Sequence, residues 1–136
     1  IKNTYNIGLM LILSIVLLGA LTLNAHEGHD QAPGTIKSNH GGVVKAGKVI
    51  NLEYVVTGTE VKLFPASHEG VDLNASDVQM TVTTKLPKGK AEALKLENKN
   101  GVTVATVDFK NAYRVEMNVE ATHQGKKSNF KFQVEK

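Results

Sequence analysis

The chain has 136 residues, with 16 Lys and Arg against 13 Asp and Glu, and it contains no cysteine. The absence of cysteine excludes disulfide bonds, a thiol nucleophile and thiolate metal ligands. A net charge of +3, with lysines scattered along the chain, argues against a nucleic-acid-binding protein.

Residues 1–25 have the three parts of a secretory signal peptide. Lys2 provides the positive charge, residues 7–23 are almost wholly apolar, and Ala25 is a small residue suited to cleavage. An uncleaved membrane anchor is the alternative, because this apolar segment is near the lower length limit for a transmembrane helix. The pattern predicts an exported protein whose domain is held together by its core, without disulfides.

Residues 26–39 follow the signal and contain hardly any apolar side chains. Such a segment does not bury enough surface to offset the entropy lost on ordering, so the sequence predicts a flexible tail. Cleavage after Ala25 leaves 111 residues with a net charge of +2, since Lys2 is the only charged residue removed. This length is typical of one domain, which we place at residues 40–136.

The segments from about Val43 onward alternate apolar and polar side chains with a period of two. Turn residues at 57–59, 98–101 and 124–126 separate them, at intervals of roughly 8–12 residues. Alternation of this kind places one face of a strand in the core and the other in solvent. The sequence therefore predicts an all-β fold, an immunoglobulin-like antiparallel β-sandwich of about seven strands.

Two parts of the pattern allow more than one interpretation. Residues 91–97 fit a short helix by propensity as well as a strand. Residues 108–113 lead into a strand and loosely resemble the tyrosine corner of immunoglobulin-like domains, with Tyr113 as its tyrosine.

The first candidate site lies directly after the signal peptide. His26 and His29 are separated by two residues, one of which is Glu27, and Asp30 follows His29 directly. Imidazole and carboxylate groups suit zinc, copper(II), nickel or cobalt. Cleavage after Ala25 would also expose the α-amine of His26, which together with ring Nδ1 forms a copper chelate. The alternative is a solvated polar tail that binds no metal.

The second candidate site lies where the tail meets the first strand. Gly41 and Gly42 let the backbone turn sharply and bring His40 close to the sheet, where its imidazole is a candidate third ligand. The alternative is a glycine-rich entry to the strand with an incidental histidine. His68 and His123 fall near predicted turns and are interpreted as surface residues.

Met80 and Met117 are possible copper(I) ligands, but their inward strand phase favours packing in the core. Catalysis has no support in the sequence, which lacks a Gly-rich phosphate loop, a G-x-S-x-G elbow and an H-E-x-x-H zinc motif. We therefore expect a protein that is not an enzyme.

The segment around the two candidate sites resembles a known family. It reads AHEGHD at 25–30, PGT at 33–35 and HGGVV at 40–44. Similar leaders occur in small periplasmic proteins of Gram-negative bacteria that are encoded with heavy-metal efflux systems, and in some adaptor subunits of those pumps. The resemblance implies a periplasmic location and metal binding by His26, His29 and His40. Family leaders often continue with histidine after Asp30, whereas this chain has Gln31, which implies weaker binding.

Two functions of different classes remain open. The first is an exported periplasmic accessory protein that captures a transition-metal ion, copper or zinc, and hands it to an efflux-pump component. The second is an envelope protein-interaction module that binds no metal and meets its partner through a sheet edge or loops. Deleting residues 26–39 distinguishes them, because only the second predicts that partner binding survives.

Overall fold

The structure, a computed structural model, describes residues 36–136; the predicted signal peptide and most of the predicted tail lie outside the described residues. The described chain forms nine strands and a single 3-10 turn at Ala75–Asp77. The strands are β1 (Val43–Ala46), β2 (Asn51–Thr57), β3 (Glu60–Ala66), β4 (Val78–Lys85), β5 (Glu92–Leu94), β6 (Leu96–Lys99), β7 (Val102–Thr106), β8 (Arg114–His123) and β9 (Lys126–Glu135). No helix within residues 36–136 has the length and apolar character needed to cross a membrane.

The strands form two antiparallel sheets. The first has the order β1-β2-β3-β7-β6 and the second has the order β5-β4-β8-β9. Without β1, these are the A-B-E-D and C′-C-F-G orders of an immunoglobulin-type sandwich. The predicted fold class is therefore confirmed, with β1 added at one edge of the first sheet.

The β8–β9 hairpin follows the alternation seen in the sequence. Val115 and Met117 of β8 are at most 1% exposed, and Met117 lies opposite Phe132 of β9 in the register. The turn residues Gln124 and Gly125 have φ values of 51° and 75°. A two-residue turn with both φ values positive is type I′, whose twist matches the twist of the paired strands.

One apolar core lies between the sheets. Its buried members are Ile50, Leu52, Val61, Leu63, Val78, Val82, Ala105, Val107, Phe109, Val115, Met117, Val119, Ala121, Phe130, Phe132 and Val134. Met117 belongs to this cluster, and the partly buried Met80 packs against it. Both methionines therefore have the packing role that their inward phase predicted.

A buried hydroxyl ties the two ends of the described domain together. Ser128 of β9 is 1% exposed, and its Oγ accepts hydrogen bonds from the backbone N–H groups of Val49 (2.9 Å) and Ile50 (3.3 Å). These two residues lie in the turn between β1 and β2, so the bonds connect the first sheet to the second.

The strand count differs from the prediction for a local reason. The ambiguous residues 91–97 contribute to two strands: β5 pairs with β4 in the second sheet, and β6 pairs with β7 in the first. The chain changes sheet at Lys95, which lies between them. The proposed tyrosine corner was wrong, because Tyr113 is 86% exposed and the neighbouring Phe109 enters the core instead.

Candidate functional site

Glu53 of β2 is a buried carboxylate on the face of the sheet opposite the core. It alternates with the core residue Leu52, yet it is only 3% exposed. Its carboxylate accepts hydrogen bonds from the backbone N–H groups of Asn39 (2.9 Å), His40 (2.9 Å) and Gly42 (2.8 Å). Converging N–H groups of this kind form a concave backbone nest that stabilises an anion. We call residues 39–42 the amide nest.

The negative charge of Glu53 is offset by these amides. Within residues 36–136, none of the ion pairs between side chains includes Glu53. A buried carboxylate requires hydrogen bonds or a paired cation, because transfer of an unpaired charge from water is strongly unfavourable. The amide nest therefore fixes the backbone that carries His40 as a consequence of stabilising Glu53.

Gly41 and Gly42 make this arrangement possible in different ways. Gly41 has a φ of +75°, in the left-handed region that glycine adopts without steric strain. A Cβ atom on Gly42 would lie 2.2 Å from the carbonyl oxygen of Tyr54, so only glycine fits there. The sharp turn next to the sheet that the sequence predicted is present.

The imidazole of His40 lies on the outer surface of the first sheet. It stacks on the ring of Phe64, with 3.8 Å between centroids and 10° between planes. Phe64 is the residue opposite Glu53 in the β2–β3 register, so Phe64 and Glu53 lie on the same face of the first sheet. The His40 Nε2 atom lies 2.7 Å from Asp72 Oδ2. The side chains of His40 and Asp72 are 31% and 48% exposed, so the pair is accessible to solutes.

Asp72 is held in place on its second oxygen as well. The Asn39 amide nitrogen Nδ2 donates hydrogen bonds to Asp72 Oδ1 (3.1 Å) and to the carbonyl oxygen of Gly70 (2.7 Å). The backbone of Asp72 also forms an isolated bridge with Ala66 at the end of β3. One carboxylate oxygen is thus oriented by Asn39 while the other faces His40.

Two ionisable residues that adjoin Gly70 and Glu53 in the sequence have shifted pKa values. The pKa of Glu69 is lowered, first by a hydrogen bond from its own backbone N–H and then by one from the Ser67 hydroxyl. Burial raises the pKa of Tyr54, whose ring stacks on Phe132 at 3.8 Å.

An open groove borders the pair formed by His40 and Asp72. It has a volume of about 220 Å³, and Leu73, Asn74 and Val102 also line it. A hydrated metal ion or a small ligand has room to approach the imidazole edge from this groove.

The candidate ligands have different outcomes. His26, Glu27, His29 and Asp30 lie outside the described residues, so their metal binding stays a prediction. His40 is present and has a single acidic partner. Within residues 36–136, no group of three or more His, Cys, Asp or Glu side chains is arranged to hold a metal ion.

The other two histidines are separate from this cluster. His68 Nε2 lies 2.9 Å from the carbonyl oxygen of Gly47, and His123 Nδ1 lies 3.3 Å from the carbonyl oxygen of Asp77. Each ring has a backbone carbonyl partner. His68 is exposed and His123 is partly exposed, which agrees with their interpretation as surface residues.

Sequence reasoning missed Glu53 and Asp72. Glu53 alternates with core residues along a strand, and this pattern predicted that its side chain would face solvent, so its burial was not expected. Asp72 lies 32 residues from His40 and follows a loop, and no local pattern marks it.

The described cluster thus presents one imidazole nitrogen and one carboxylate oxygen, side by side and partly exposed, on a backbone fixed by hydrogen bonds. These are the two ligand types that the sequence proposed for a transition metal. No protein-family model, curated protein or solved structure matches this chain.

Proposed function

We propose that this chain is an exported periplasmic accessory protein that binds a transition-metal ion, copper or zinc, and hands it to an efflux component. The observation that carries the proposal is the pair formed by His40 Nε2 and Asp72 Oδ2, 2.7 Å apart and partly exposed. The proposal adds Asp72 to the ligands His26, Glu27, His29, Asp30 and His40 that the sequence suggested. The resemblance of residues 25–44 to proteins encoded with metal-efflux systems supports the same role.

The pair would bind an ion only after a small rearrangement. The 2.7 Å separation is that of a hydrogen bond, in which His40 Nε2 and Asp72 Oδ2 face each other, whereas two ligand atoms about 2.0–2.1 Å from one ion are about 2.9–3.3 Å apart. The spacing of the pair therefore does not distinguish copper(II) from zinc.

The surroundings of the pair resemble the support that metal ligands require. Asn39 donates to the Asp72 oxygen that does not face His40, and the stack on Phe64 sets the plane of the imidazole. Supporting contacts of this type orient ligands and raise metal affinity about 10- to 100-fold. The amide nest supplies the rigid backbone.

A site with two protein ligands leaves the remaining coordination positions to water or to another donor. Such a site exchanges its ion readily, which suits capture and transfer better than permanent storage. The groove of about 220 Å³ beside His40 gives an incoming donor a route to the ion.

The test is a titration of the exported, processed chain with copper(II) and with zinc, using a competing chelator to measure affinity. His40→Phe keeps an aromatic ring on Phe64 but removes the nitrogen ligand, and Asp72→Asn keeps the bond from Asn39. His123→Phe is the matched control at a surface histidine. We expect the first two variants to weaken copper(II) binding at least about tenfold, comparable to the loss of a supporting contact, and the control to match the parent.

A double variant, His26→Ala with His29→Ala, separates the leader from the domain. If it alone abolishes binding, the metal function stands with the ligands predicted from sequence, and the assignment of Asp72 is wrong. A parent chain that binds neither ion, or one whose affinity none of these changes alters, would refute the proposed function.

A further inference from the structure

The four edge strands of the two sheets differ greatly in length. Within residues 36–136 the edge strands β1 and β6 have four residues each, β5 has three, and β9 has ten. Short edge strands are a common protection against pairing with another chain, because they offer few free N–H and C=O groups. Strand β9 does not have this protection.

The register shows which backbone groups of β9 face outward. A two-residue hairpin is closed by a hydrogen-bonded pair, here His123 and Lys126, and such pairs recur at every second residue. The bond from Lys136 N–H to the Tyr113 carbonyl (2.9 Å) fits the same phase. Even-numbered residues of β9 therefore bond to β8. The N–H and C=O groups of the odd-numbered residues point to the free edge: Lys127, Asn129, Lys131, Gln133 and Glu135.

This edge is also regular. Ten consecutive residues of β9 pair with ten of β8 without an interruption, and β9 contains no proline. Neither a bulge nor a proline twists or blocks the edge, as commonly happens where an exposed strand must stay single. The outer lysines are partly compensated, since Lys127 lies 3.3 Å from Glu120 and Lys131 lies 4.0 Å from Glu116.

We propose that β9 pairs antiparallel with β9 of a second copy of this chain, in the register centred on Phe132. The side chains of even-numbered residues face the core and those of odd-numbered residues face solvent, so even must meet even across the two-fold axis. Centring on Phe132 places Lys131 opposite Gln133 of the second copy and Asn129 opposite Glu135. No like charges face each other directly, and the core side pairs Phe132 with itself.

Two neighbouring registers compete with this one. Centring on Lys131 places Lys131 directly opposite Lys131 of the second copy, which is unfavourable, but it also pairs Lys127 with Glu135 twice. Centring on Phe130 places Asn129 opposite Lys131 and Lys127 opposite Gln133. Cysteine trapping distinguishes the three registers, because residue 131 meets residue 133 only when the two-fold axis passes through Phe132. That register joins two four-stranded sheets into one, through the hydrogen-bonding pairs of 129 with 135 and of 131 with 133. Because each pair occurs twice about the axis, about eight backbone hydrogen bonds form.

Sedimentation equilibrium of the exported, processed chain with a metal chelator present tests the pairing independently of metal binding. Gln133→Pro removes one outward N–H, and proline is tolerated on an edge strand because that N–H is not used within the sheet. Gln133→Val keeps the N–H and is the matched control. We expect a concentration-dependent dimer in the parent and the control, and at least about tenfold weaker association in Gln133→Pro, equivalent to about 1.4 kcal/mol. Circular dichroism and thermal unfolding check that the variant is folded.

Disulfide trapping tests the register, since the natural chain has no cysteine. Mixed Lys131→Cys and Gln133→Cys chains should form a covalent dimer with each other, while neither variant should do so alone, because equal positions are then diagonal neighbours beyond disulfide reach. A monomer at every concentration, a dimer unaffected by Gln133→Pro, or self-trapping of Lys131→Cys would each overturn the proposal. If another segment of the same chain pairs with the β9 edge, the protein stays monomeric, which is the first of these outcomes.

Discussion

Replacing Glu53 by Gln removes the negative charge at the amide nest with almost no change in volume. The carboxylate accepts from three backbone N–H groups, and the His40 N–H lies within reach of both oxygens, at 2.9 and 3.2 Å. A glutamine presents one oxygen and one NH2 group. Whichever way the side-chain amide is oriented, its NH2 group faces the backbone N–H of Asn39 or that of Gly42. That N–H then has no acceptor. An unpaired buried donor costs about 1–3 kcal/mol, so we expect Glu53→Gln to lower the free energy of unfolding by about 2 kcal/mol.

Urea unfolding measures this loss directly. With a slope of about 1–1.5 kcal/mol per M, typical of a small domain, the unfolding midpoint should fall by about 1.3–2 M. Hydrogen exchange should show that the amides of Asn39, His40 and Gly42 lose protection together. Glu97→Gln, at an exposed position of edge strand β6, is the control and should stay within about 0.5 kcal/mol of the parent. A Glu53→Gln variant as stable as the control, with the three amides still protected, would refute the role assigned to the nest.

Three further changes test the packing around the site and the core. Gly42→Ala forces a Cβ atom to within 2.2 Å of a backbone oxygen, so in thermal unfolding it should destabilise the domain by more than about 1 kcal/mol. Gly89→Ala is the control and should be tolerated in the same measurement, because its Cβ atom meets a side chain at 3.3 Å. Ser128→Ala leaves two backbone N–H groups of the β1–β2 turn without an acceptor and should cost about 1–3 kcal/mol in urea unfolding; an unchanged midpoint contradicts this. Met117→Ala empties a fully buried position and should cost about 2–5 kcal/mol, and Met80→Ala, which is partly exposed, should cost clearly less in calorimetry.

Strand alternation carried most of the fold prediction. Residues 115–121 and 128–134 alternate so regularly that their buried faces follow from the sequence alone. The switch at Lys95 was not predictable in this way, because alternation identifies the two faces of a strand but not the sheet it joins. Two short strands separated by one residue look like one continuous segment in the sequence.

The candidate site was predictable only in part, for a related reason. Gly41 and Gly42 indicated a sharp turn beside the sheet, because the steric freedom of glycine is a local property. The burial of Glu53 depends on which segment covers the outer face of β2, and the partner of His40 depends on a loop 32 residues away. Both are tertiary contacts between segments distant in sequence, which no local pattern reports.

The bonds from Ser128 to the β1–β2 turn have a consequence for the order of folding. They join groups 78 and 79 residues apart. The N–H groups in the turn between the first two strands therefore have no acceptor until the last strand is in place. Contacts of such long sequence separation slow folding, since a large loop must close before they form. A partly synthesised chain that lacks β9 also lacks one side of the core. For the export that residues 1–25 predict, this delay favours an unfolded chain during translocation and folding once the whole domain has crossed.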